Sequence, residues 1–128
     1  AQLPKAVGRR AGLSALRLAG EPIARAARSG ARVDKGSLRE SIDVKATLAR
    51  SQRGDKGLVA PVEMYVGPGQ NPQAITEEFG TFDQAAHPFM RPAWDAKRVE
   101  ALGIAGAALG IEIDKAAKRL AKKVARGR

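Results

Sequence analysis

At 128 residues the chain is the size of one domain, and it can bury a modest core without a metal or disulfide frame, neither of which a cysteine-free sequence could build from thiols. Its formal net charge of +10 is placed at the ends: residues 1–34 hold seven Lys/Arg against two acids and residues 114–128 hold seven against one, while 35–113 hold nine against ten. No apolar run approaches the roughly 18 residues that cross a bilayer, and Lys5, Arg9 and Arg10 break any signal-peptide pattern, so the expected setting is the cytosol of the producing cell.

Residues 3–28 read as helix. Leu3, Val7, Ala11, Ser14 and Leu18 fall on one stripe, and Leu13, Leu16, Gly20, Ile23 and Ala27 on a neighbouring one. Gly20-Glu21-Pro22 predicts a kink or short break, because an interior proline removes a backbone donor and crowds the preceding turn. Ser29-Gly30 supplies a stop. Asp34 then caps a short helical turn in which Gly36 permits a tight backbone and Leu38 pairs with Ile42 at i,i+4.

Alternation in Ile42-Asp43-Val44-Lys45-Ala46-Thr47-Leu48 predicts a half-buried strand. The polar, glycine-punctuated run Arg50–Gly57 reads as a loop. Leu58 to Val66 is a second strand, with Pro61 at an edge or bulge, and Gly67–Pro72 is a turn. Gln73 to Phe79 fits either a short helix or a third strand.

The stretch Thr76 to Asp95 contains all three phenylalanines and the one tryptophan. Pro88 and Pro92 make it run extended and then start a helix, so it reads as a connector pinned by buried Phe79, Phe89 and Trp94. From Pro92 to about Val124 a long helix is expected. Its buried stripe is read as Leu102, Ala105, Leu109, Ile113, Ala116, Leu120 and Val124. Beside that stripe Gly103, Gly106 and Gly110 predict either close approach of another backbone or a bend.

Little in the chain supports catalysis. His87 is the only histidine, flanked by Ala86 and Pro88 with no nucleophile nearby, so it is read as a packed or interface residue. Glu77 and Glu78 are adjacent and point different ways, and Gly67-Pro68-Gly69 lacks the rest of a phosphate loop. Lys115, Lys118, Arg119, Lys122, Lys123 and Arg126 provide charge for an anionic partner. No aromatic stands among them to stack a base, so they fit nonspecific phosphate contact or an acidic protein neighbour.

Three blocks carry a family resemblance. Asp34-Lys35-Gly36-Ser37-Leu38-Arg39-Glu40-Ser41-Ile42, Met64-Tyr65-Val66-Gly67-Pro68, and Glu78-Phe79-Gly80-Thr81 followed by His87-Pro88-Phe89-Met90-Arg91-Pro92-Ala93 occur in order. Together they resemble the small head–tail joining proteins of tailed bacteriophages, also described as tail-completion or minor tail components. Lys35 stands where that family usually has Thr.

The resemblance implies an α+β subunit, a small and mostly antiparallel sheet packed with an N-terminal helix and a long C-terminal helix, forming one domain over 1–128 with its basic helix end from about 114. It implies a non-enzymatic virion protein at the head–tail junction, without cofactor, small-molecule substrate or membrane, assembled in the bacterial host cytoplasm. Its partners would be copies of itself in a ring (a hexamer, or a dodecamer nearer the portal) and the neighbouring tail-tube and head-completion proteins. The assembly residues it marks are Asp34, Gly36, Leu38, Arg39 and Ser41, then Glu78, Phe79, Gly80, Thr81, Pro88, Phe89, Arg91, Pro92 and Trp94, with Arg39 a candidate partner of Glu78. The rival reading is a basic protein that binds DNA nonspecifically through its cationic ends.

Overall fold

The computed structural model describes residues 5–32, 37–46, 62–69 and 71–127. The element order is α1 (Lys5–Gly30), α2 (Ser37–Ser41), β1 (Asp43–Lys45), β2 (Tyr65–Gly67), α3 (Pro72–Phe79) and α4 (Met90–Gly127). Strands β1 and β2 pair antiparallel, with Val44 opposite Val66. The α+β expectation is met, and Gln73 to Phe79 is resolved as helix. Asp34, Gly36, the Arg50–Gly57 loop and Pro61 lie outside the described residues.

Helix α3 has a complete start: Asn71 Oδ1 accepts the backbone N–H of Gln73 at 3.1 Å, and Pro72 follows where a helix needs no donor. Helix α1 passes through Pro22 without the expected break. Gly20 has a packing role instead. A Cβ there would lie 2.9 Å from Val44 Cγ1 and 3.1 Å from Val66 Cγ2, so the bare backbone of α1 is what lets the strand pair settle on it.

The largest interface in the fold joins α1 to α4. The end of α1 meets the start of α4, with a Cβ at Gly30 falling 3.7 Å from Phe89 Cα, and the two helices run antiparallel from there. The buried residues of both helices are mostly alanine. Ala11, Ala15, Ala19, Ala24 and Ala27 are buried along α1, Ala31 just after it, and Ala93, Ala101 and Ala116 along α4. Small side chains let two helix axes approach closely. Ile23, Leu38, Ile42, Val44 and Phe89 thicken this core where α2, β1 and the start of α4 converge.

The expected apolar stripe of α4 is therefore rotated. Leu102 is 75% exposed, and Leu109, Ile113 and Val124 also face solvent; only Ala116 of that set is fully buried. Positions 103, 106 and 110 have open space where a Cβ would stand, so no described part of the subunit packs on those glycines.

Candidate functional site

Two adjacent carboxylates organise the junction between α3 and α4. Glu77 is buried, 5% exposed. Its Oε2 accepts from Arg32 Nε at 2.9 Å and its Oε1 from Arg32 Nη2 at 2.7 Å, a two-point pair that closes the end of α1 onto α3. The Arg32 hydrogen bonds outweigh the cost of burial and hold the Glu77 carboxyl below its usual range. The Glu77 carbonyl also accepts the His87 backbone N–H at 2.7 Å, fastening the returning connector.

Glu78 points the other way. Its Oε1 accepts the backbone N–H groups of Phe89 and Met90 at 3.0 and 2.9 Å, and its Oε2 that of Arg91 at 3.1 Å. These are orphan donors at the start of α4, where the preceding residue, Phe89, has no side-chain acceptor. A carboxylate from α3 supplies the missing cap and meets the positive end of the helix dipole. Burial works against ionisation of Glu78, but the three N–H donors and the nearby Arg91 charge prevail and lower its pKa. The Arg39–Glu78 pairing is not formed: Arg39 Nη2 donates to the Ala31 carbonyl at 3.1 Å, and Glu78 is taken up by α4.

Between these anchors the connector makes a tight turn. Gly80 has φ +76°, and a Cβ on it would fall 2.8 Å from the Ala86 nitrogen, so glycine is required there. Thr81 and Gln84 exchange backbone hydrogen bonds at 2.9 and 3.4 Å, and Thr81 Oγ1 donates to Asp83 Oδ1 at 2.7 Å.

Of the three aromatic pins, only Phe89 is buried, at 1% exposure. Phe79 is 77% exposed and Trp94 53%, which corrects the expectation that they share its cluster. Phe82, at the tip of the turn, is fully exposed. Thr81, His87, Pro88, Arg91 and Pro92 are exposed as well, so His87 is not a packed residue. Leu38 is buried, and Ser41 Oγ donates to the Leu38 carbonyl at 2.6 Å while accepting from Asn71 Nδ2 at 3.4 Å. Beside the turn, a groove of about 820 Å³ runs between α3 and the start of α4, with Pro68, Pro72, Ile75, Phe79 and Phe89 among its apolar walls and Arg91 on its lining.

The basic ends divide. On α1, Arg17 Nη1 donates to the Val44 carbonyl at 3.2 Å and Arg28 Nε to the Ile42 carbonyl at 3.0 Å, satisfying acceptors along β1. With Arg32 on Glu77, three of the N-terminal cations hold the fold together. Periodicity does not reveal such long-range arginine contacts. At the other end Lys115, Lys118, Arg119, Lys122, Lys123 and Arg126 are exposed on α4, and Lys118 pairs with Asp114 at 3.3 Å. Among the described residues no helix is long and apolar enough to cross a membrane, and no acidic or histidine cluster could hold a metal.

No curated protein and no solved structure matches the chain. A family model does, over residues 1–68, and it is described as "Bacteriophage HK97-gp10, putative tail-component". The matched region contains the first two of the three recognised blocks and ends before Glu78, so the connector lies outside it. Because the match spans α1, α2 and both strands, more than half of the sequence, the chain belongs to the HK97-gp10-like family of bacteriophage tail components.

Proposed function

We propose that the protein is a non-enzymatic structural subunit that closes into a ring at the phage head–tail junction, as a tail-completion or tail-terminator protein or as part of the neck. In this reading residues 1–128 act as one joining domain, resident in the virion after assembly in the bacterial host. A hexamer matches a tail tube and a dodecamer a position nearer the portal. Tail-tube and head-completion proteins are the neighbours, and the genome passes close by.

One observation carries the reading. Among the described residues, ten of the fifteen buried hydrophobics are alanine, while eleven large hydrophobics, among them Phe79, Phe82, Trp94, Val99 and Leu102, stand exposed. Singly exposed apolar residues are ordinary on a monomer, but this many large ones on one small subunit point to an interaction face. Head-to-tail contacts between such faces close into a ring when the rotation permits.

The test is mass measurement by light scattering, with negative-stain images, at low salt and at about 1 M salt, where charge interactions beyond about 3 Å are screened. The expected result is a closed multimer that persists in high salt. A monomer or small oligomer that binds DNA with steep salt dependence would overturn the reading and favour the nucleic-acid alternative.

A further inference from the structure

We infer that Phe82 is a docking knob, and that it enters the α3–α4 groove of a second copy of this chain. The inference rests on the assembly reading above and names one contact that would join its copies.

The knob is built, not frayed. Phe82 is 102% exposed at the tip of a turn that the Thr81–Gln84 backbone bonds, the Thr81–Asp83 side-chain bond and the positive φ of Gly80 all fix in place. An ordered turn presents a large ring to water at little further entropy loss on docking. Both ends of the connector are also tied down, through His87 to the Glu77 carbonyl and through Phe89 to the Glu78 carboxylate.

The groove has the complementary character. Its volume of about 820 Å³ admits an aromatic ring and the turn that bears it, and Ile75 and Phe79 on its wall are themselves largely exposed. Charge complements shape. Asp83 follows Phe82 on the knob, and Arg91 lines the groove; Glu78 lines it too and feels the Arg91 charge, but its carboxylate is taken up by the α4 N–H groups and no ion pair of Arg91 closes within 4 Å among the described residues. With Phe82 seated, Asp83 is carried toward Arg91. The subunit's own Phe82 stands outside its own groove, which leaves that groove open to another copy.

The chain has no cysteine, so introduced thiols report contacts cleanly. Copies carrying Phe82→Cys are mixed with differently tagged copies carrying Ile75→Cys and oxidised. The expected product is a covalent dimer of unlike tags, well above the yield from either variant alone.

In parallel, Phe82→Ala should raise the concentration needed for assembly at least about tenfold with an unchanged melting temperature, as expected for an exposed site. Arg91→Asp should weaken assembly, and Arg91→Lys, which keeps the charge, should largely retain it. If the parent assembles but the mixture gives no disulfide and Phe82→Ala assembles as the parent does, the knob is refuted and the ring reading stands. A Phe82→Ala protein that assembles normally yet no longer joins heads to tails assigns the groove to another virion protein and overturns the inference. A parent that never assembles refutes the ring reading itself.

Discussion

Arg32 grips Glu77 at two points, Nε on Oε2 at 2.9 Å and Nη2 on Oε1 at 2.7 Å, and so ties residues 45 positions apart where α1 ends and α3 passes. The carboxylate is buried and the guanidinium half exposed. Removing the arginine strands a desolvated negative charge, which costs more than losing the pair itself.

Arg32→Ala should therefore lower subunit stability by about 1–3 kcal/mol in urea melts. Arg32→Lys should recover only part of that, since an ammonium cannot offer the parallel fork. A melt unchanged by Arg32→Ala would show that the pair contributes nothing to holding α3.

The caps predict a pH dependence. Glu77 and Glu78 both have folded pKa values below the ordinary glutamate value. Their contribution is thus fully present above the unfolded carboxyl pKa and is lost as pH falls through the lowered folded values. Stability should drop on acidification below about 4.5. Glu78→Gln should cost about 0.5–2 kcal/mol at neutral pH, the range for a lost cap, and should flatten the acid limb. Hydrogen exchange at Phe89, Met90 and Arg91 should quicken in that variant. Equal acid sensitivity in parent and Glu78→Gln would contradict this role for Glu78.

Phe89 and Phe79 should separate folding from assembly. Phe89→Ala empties a fully buried site and should cost roughly 3–5 kcal/mol. Phe79→Ala, at an exposed position, should change the subunit melt by no more than about 0.5 kcal/mol and weaken association instead. Light scattering beside thermal melts on the same samples reads both effects.

The basic face of α4 should act on a protein neighbour. Replacing Lys118, Arg119, Lys122 and Lys123 by Gln should leave the fold intact, because all four side chains are exposed. We expect such a subunit to fail in joining heads to tails while its own DNA affinity changes little. Charge alone attracts both targets, but at the proposed head–tail position tight phosphate binding would retard the sliding genome. Unimpaired joining together with loss of strong, salt-sensitive DNA binding would reverse the assignment.

Much of this was readable in the residues. The alternation of Ile42 and Val44 against Asp43 and Lys45 gave a strand whose apolar face is indeed buried, and Pro92 lies in the first turn of α4 as its ring geometry suggests. Which stripe of each long helix packs was not readable. Leu18 and Leu102 looked like core because large side chains gain most from burial, yet alanines one position away, Ala19 and Ala101, are the ones buried. Where many large side chains lie on the outside of the subunit, size ceases to indicate the inside. Glu78 was marked by the family blocks, but its cap closes over eleven to thirteen residues, and no local spacing encodes that.

Helix α4 has 38 residues and α1 has 26, so α4 is about 57 Å long, nearly twice the roughly 30 Å diameter of a small domain. The Glu78 cap and Phe89 hold its base, and the contact with α1 holds it further along, with Ala116 still buried. The stretch from Ala117 to Gly127 adds about 16 Å of helix beyond that last fully buried position. Lys122, Lys123 and Arg126 are thus presented on a stiff helical end whose direction is set by the α1–α4 contact.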